Sequence, residues 1–301
     1  MILFCAILAT VLFCSPQQKS SLAQQQSDEE DEVVRVNTDL VVLNVTVADP
    51  SGKYAHGLKS SDFKLFEDGR EQTITSFSAE ETPFAAVVLL DTSGSMESRV
   101  RMARSAAIRF LDGLREQDVA AIYHFNSKVE LVQEFSSSRD LAPIAFNLEA
   151  KGMTALNDAI VKAARELYGR SERRRAIIVL SDGADTYSNA SMDKALSIAL
   201  ATDATIYTVD MSQQGSKDRG LGASALRNFA TKTGGRYVST PGGQALREAF
   251  ASIVEELSNQ YTLTYRPTNR ARDGRWREVG VKLERAELAA RTRKGYRAPK
   301  G

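Results

Sequence analysis

Apolar and polar positions change rhythm twice along this chain. Leu43, Val45 and Val47 alternate with Asn44, Thr46 and Ala48, the spacing of a strand with one buried face. Residues 63–69 and 72–77 predict two more strands around the Asp68-Gly69 hairpin, and Asp49-Pro-Ser-Gly52 reads as a turn. From residue 83 the rhythm becomes unbroken apolar runs followed by helical stripes. Residues 85–90 are all apolar and run straight into Asp91, which fits a strand buried on both faces of a parallel sheet. Behind them Val100, Ala103, Ala107, Phe110, Leu111 and Leu114 share one helical face. The same alternation predicts strands over 119–125, 129–135, 176–182, 204–209 and 237–238. Helices are predicted around 141–148, 156–167, 192–201, 223–233 and 244–257. The link Asn126-Ser-Lys128 is so short that the strands on either side must run antiparallel. Past Tyr261 the period returns to two: Tyr261, Leu263 and Tyr265 alternate, Asp273-Gly274 turns, and strands are predicted at 276–283 and 289–296.

These rhythms imply an α/β fold. Residues 83–260 read as a doubly wound, mostly parallel six-stranded sheet with helices on both faces. The few strands at either end cannot hold a core alone. The arms 33–82 and 261–301 are therefore expected to pair into one small β-sandwich that carries the α/β unit as an insert.

Composition changes this picture mainly at the ends. The formal net charge is only +1, but residues 28–32 form an acidic run and basic residues outnumber acids beyond Tyr261. Both ends read as solvated surface, and without an aromatic–basic platform no nucleic-acid partner is expected. Residues 1–14 are nearly all apolar and are followed by a polar stretch ending in Ser21-Leu-Ala23. That pattern predicts a signal peptide over 1–23, cleavage before Gln24, and a disordered acidic leader over 24–32. The mature protein would then be secreted or periplasmic, with no transmembrane segment. No Lys or Arg precedes the apolar run, a departure from the usual signal. A lipid anchor on Cys14 is the alternative, disfavoured by the bulky Phe13 before it. The chain's two cysteines, Cys5 and Cys14, both lie in this segment, so thiolate metal sites and Cys nucleophiles are excluded from the mature chain.

The chemistry concentrates in three loops. Asp91-Thr-Ser-Gly-Ser95 joins a buried strand to a helix, where ligands bind in doubly wound sheets. Its donors are all oxygens, suited to a hard cation such as Mg2+. Gly152-Met-Thr-Ala-Leu-Asn-Asp158 places Thr154 before another helix, and a second buried strand ends at Asp182. Together Asp91, Ser93, Ser95, Thr154 and Asp182 resemble the metal-ion-dependent adhesion site of the von Willebrand factor type A domain, at all five positions. The flanking strands, Ser61-Asp62-Phe63 and Gly295-Tyr296 resemble the exported bacterial family of VWFA-related domain proteins. The resemblance implies that Ser93, Ser95 and Thr154 bind the ion directly and that Asp91 and Asp182 act partly through water. The ion would be Mg2+, with Mn2+ or Ca2+ possible, and one coordination position would remain for an Asp or Glu of a partner protein. It implies a secreted, metal-dependent protein-binding or adhesion module, with Asp158 and Asp185 as rim acids.

Two other readings compete. Ser, Thr and Asp also cap helices, although three such residues in one loop exceed what one helix needs. Metal-assisted hydrolysis is the second, since a divalent ion held by two Asp could activate water. Against an enzyme, the chain has no Gly-x-Ser-x-Gly elbow, no phosphate-binding glycine loop and no His-Glu-x-x-His. Its only histidines are His56 and His124, and the latter is expected to pack beside Tyr123 and Phe125.

Overall fold

The computed structural model describes residues 40–79, 82–212, 219–240 and 242–301. The expected signal segment 1–23 and leader 24–32 lie outside the described residues. The first arm supplies β1 (Val41–Ala48), β2 (Phe63–Glu67), β3 (Arg70–Gln72) and β4 (Ile74–Ser78). The α/β unit follows as β5 (Phe84–Asp91), α1 (Val100–Asp112), β6 (Val119–Phe125), β7 (Val129–Ser136), α2 (Leu156–Tyr168), β8 (Arg174–Ser181), α3 (Met192–Ala201), β9 (Ala204–Asp210), α4 (Arg219–Thr233), β10 (Tyr237–Ser239) and α5 (Gly243–Ser258). The second arm gives β11 (Tyr261–Tyr265), β12 (Trp276–Leu283), β13 (Ala289–Arg291) and β14 (Gly295–Arg297).

The central sheet runs β10-β9-β8-β5-β6-β7, parallel throughout except for β7. All eight residues of β5 are buried, because successive side chains enter opposite layers. Phe84, Ala86, Val88 and Leu90 pack with α1 and α5, where Phe110 meets Phe250 edge-on. Ala85, Val87 and Leu89 pack against α2 and its neighbours through Leu156, Ile160, Ala163 and Leu167. A run without polar interruption is what two covered faces require.

The arms form two four-stranded sheets, β13-β1-β11-β4 and β14-β12-β2-β3. Leu43, Val45 and Val47 of one meet Phe63, Leu65 and Val279 of the other in a single apolar cluster. The α/β unit is inserted between two strands that are themselves paired, since Thr262 of β11 stands opposite Ser78 of β4. Arg174, fully buried at the start of β8, fastens both connections. It donates to Ala79 O at 2.8 Å, Thr82 O at 3.2 Å and Gln260 O, and to the hydroxyl of Thr262 at 3.2 Å.

Local structure departs from the sequence pattern in three places. The segment expected as a helix over 141–148 holds only a 3-10 turn, Pro143–Asn147, and Leu148 is already extended. Residues 72–77 do not form one strand: the ladder breaks at Thr73, so β3 stays with β2 while β4 crosses to β11. The segment 289–296 likewise divides, β13 pairing with β1 and β14 with β12. Arg293 lies in that break and reaches Leu200 O, Asp203 and Val42 O at 3.1, 2.7 and 2.8 Å. In both divided strands the chain changes sheets, and an alternating pattern looks the same on either sheet.

Candidate metal centre

The site is built where β5 and β8 end side by side. Asp91, the last residue of β5, accepts the Ser93 amide on Oδ1 at 2.8 Å, which bends the chain into the 3-10 turn Gly94–Met96. Its Oδ2 accepts the hydroxyl of Ser181, the last residue of β8, at 2.5 Å. The Ser181 oxygen in turn accepts the Gly183 amide at 2.9 Å, fixing the turn that contains Asp182. Ser93 Oγ and Ser95 Oγ are 3.1 Å apart.

The loop carrying Thr154 is fastened to both neighbours. Gly94 N donates to Gly152 O at 3.1 Å and Lys151 N to Thr92 O at 2.9 Å. On the other side, Thr186 N and Tyr187 N both donate to Thr154 O, at 2.9 and 3.0 Å. Gly183 is in the left-handed region (φ 80°), and a side chain there would collide with Gly222 O of α4 at 2.3 Å. The three loops therefore hold one another in place. Asp91, Ser93 and Thr154 are buried, Asp182 is half-buried and Ser95 is exposed. Solvent reaches this group from the side of Ser95 and Asp182.

Burial pushes the Asp91 carboxyl up to about 6, against the hydrogen bonds from Ser181 and Ser93 that lower it; the charge of Asp182 raises it further. An acid confined in this way, next to a second acid and two hydroxyls, favours a positive charge among them. Two carboxylates and three hydroxyls, with no thiol or imidazole, fit a hard divalent cation. Among the described residues no group of three or more His, Cys, Asp or Glu is arranged to hold a metal, so this candidate depends on hydroxyls as much as on acids.

Asp158 and Asp185 lie nearby but bind backbone. Asp185 accepts Asn157 N at 2.8 Å and Ser188 N at 3.1 Å, and Asp158 accepts Asn189 N and Ala190 N at 2.9 and 2.8 Å. They join the start of α2 to the loop 185–190, and Asp185 caps α2 through the Asn157 amide.

Sequence pattern alone does not pair Thr92 with His124. Thr92 Oγ1 lies 3.1 Å from His124 Nδ1, and Glu130 is 3.4 Å from the other ring nitrogen. This chain of groups resembles a nucleophile with its base, but Thr92 is buried and its hydroxyl donates to Phe125 O at 3.2 Å. Burial lowers the His124 imidazole below its ordinary range, opposed by Glu130. The pair ties β6 to the loop 91–95. Its only signal in the sequence is the position of Thr92 within Asp-Thr-Ser-Gly-Ser.

Residues 86–184, the stretch from β5 to just past the end of β8, match the family model described as von Willebrand factor type A domain. The chain is similar to the uncharacterized protein sll0103 of Synechocystis sp., with 27% identity over 187 residues; the match covers 59% of this chain and 42% of that protein's length. Similar solved structures include a von Willebrand factor type A protein from Catenulispora acidiphila, with 14% identity and a TM-score of 0.49, covering 80% of this chain and 74% of that one. Another is the vWF domain of the type V pili tip protein Mfa5 from Porphyromonas gingivalis, with 14% identity and a TM-score of 0.48, covering 59% and 95%. Among the described residues no helix is long and apolar enough to cross a membrane.

Proposed function

We propose that Asp91, Ser93, Ser95, Thr154 and Asp182 hold a divalent cation, Mg2+ by preference, and that the protein uses it to bind the carboxylate of an Asp or Glu on a partner protein. The observation that carries this reading is the mutual fastening of the three loops around a buried Asp91. A site preorganised in this way loses little freedom when it binds. The ion would supply positive charge and an open coordination position. The protein supplies the rim: Met153 and Tyr187, large apolar side chains about half exposed, stand on the loops whose backbones meet at Thr154. Exposed apolar groups beside a charged centre suit a protein partner and give a hydrolase nothing to act with. The apolar 1–14 segment supports export, which would place the partner outside the cytoplasm.

Calorimetric titration of the chain from Gln24 onward with Mg2+ tests the ion, and Asp91→Ala should abolish the heat of binding. Partner capture should require Mg2+, reverse with EDTA and disappear in Asp91→Ala. Equal Mg2+ binding by wild type and Asp91→Ala would sink the proposal. Turnover of simple ester or phosphoester substrates that depends on Ser95 would replace binding with hydrolysis.

A further inference from the structure

The second arm ends in a basic tip that the metal-site reading does not use. Segments 272–276 and 297–301 lie antiparallel: Ala298 N donates to Arg275 O at 2.9 Å, Gly274 N to Pro299 O at 3.3 Å and Gly301 N to Arg272 O at 3.1 Å. This pairing gathers Arg272, Arg275, Arg297 and Lys300, all exposed, at one end of the sheet. Asp273, the acid of these two segments, is bonded to the buried Arg277 at 3.0 and 3.1 Å and lies 3.9 Å from the exposed Arg275, so it offsets only part of the exposed charge.

Trp276 stands within this group. It pairs across the ladder with Arg297, so the two side chains share the outer face. Its ring lies across Gly295, where an added Cβ would come within 2.6 Å of the indole. With 38% of its surface exposed it is the chain's sole tryptophan, packed on one side and open on the other.

We propose that this tip docks on an anionic lipid surface, with Trp276 entering the headgroup layer and Arg275, Arg297 and Lys300 against the lipid phosphates. A partly exposed indole with basic residues around it is the pattern of an interfacial anchor. Single-stranded nucleic acid would call for successive rings on which successive bases stack, and this tip offers one. The contact would orient the protein on a membrane while leaving the α/β unit as folded.

Because Trp276 is the sole tryptophan, its fluorescence reports the contact in the full chain. Vesicles of phosphatidylcholine with about a third phosphatidylglycerol should shift its emission to the blue and sediment the protein, while pure phosphatidylcholine does neither. Arg275→Ala and Arg297→Ala should each weaken binding about fivefold with unchanged melting, and about 1 M salt should release the protein. Sedimentation without a change in Trp276 emission would place the contact elsewhere and overturn the proposal. So would binding that survives the double substitution, or a response to oligothymidylate in place of vesicles.

Discussion

Ser181 and Asp91 end neighbouring parallel strands, and the serine hydroxyl donates a 2.5 Å hydrogen bond to the carboxylate of Asp91. The bond partly offsets a burial that pushes Asp91 up to about 6. A folded-state value above the unfolded one means that the folded protein retains this proton longer. The associated stability is fully present below about pH 4 and is lost as pH rises through about 6, amounting to about 3 kcal/mol by neutrality. In EDTA, wild type should therefore lose stability relative to Asp91→Asn between about pH 4 and pH 7. Ser181→Ala should widen the gap, because it removes a bond that favours the charged form. Urea unfolding across that range checks this, and a gap independent of pH would contradict it.

Arg174 connects the α/β unit to the arms. Its fully buried guanidinium donates to three backbone carbonyls and a hydroxyl from the segments that enter and leave the insert. Arg174→Ala strands buried acceptors, at a cost of about 3 kcal/mol or more. Melting should fall by about 6–12 °C. Arg174→Lys should recover little of this, since an ammonium cannot reproduce the planar fork. Amide exchange should quicken first at 79–82 and 260–262; uniform quickening would mean that the residue supports the core in general.

These two residues show what the sequence makes legible. Asp91 follows six apolar residues at the end of a strand and precedes two spaced serines, so local pattern alone marks it. The insertion between paired arms followed from there being too few strands to form separate cores. Arg174 also stands at the head of an apolar strand, yet nothing local says that its charge is buried, because its partners are carbonyls about 90 residues away in sequence. The changes of sheet at Thr73 and between 291 and 295 were hidden for a related reason: period-two alternation reports that one face is covered, not which strand lies alongside. The full helix that the apolar spacing suggested at 141–148 gives way to the 3-10 turn 143–147, which the extended Leu148 ends.

Glu256 provides a second such case. It falls beside the apolar stripe of α5 but is buried, accepting Tyr207 OH at 2.8 Å and Thr46 Oγ1 at 3.2 Å and pairing with Arg291 at 2.5 Å. Burial and this carboxylate raise the Tyr207 hydroxyl well above its usual range, which keeps it a donor. Glu256→Ala should cost about 2–3 kcal/mol through the polar groups it orphans. Arg291 is about a third exposed, so screening reduces the charge contribution, and Glu256→Gln should recover part of the loss. A double-mutant cycle between Glu256→Ala and Arg291→Ala should show coupling of about 1 kcal/mol; strict additivity would mean that the pair does not join α5 to β13.

The last prediction separates the ion from the fold. If the cation binds only the folded chain, it stabilises by mass action, about 2.7 kcal/mol at a hundredfold excess over its dissociation constant. Mg2+ should raise the melting temperature of wild type and EDTA should return it. Asp91→Ala should lose this response yet melt in EDTA at or slightly above wild type, because removing a buried acid relieves its desolvation and its repulsion with Asp182. Ser93→Ala and Thr154→Ala each delete a neutral donor and leave both charges, so their response should weaken without vanishing. Differential scanning calorimetry with and without Mg2+ orders the variants. If Ser93→Ala abolished the response and Asp91→Ala retained it, the charge of Asp91 would not be what draws the ion.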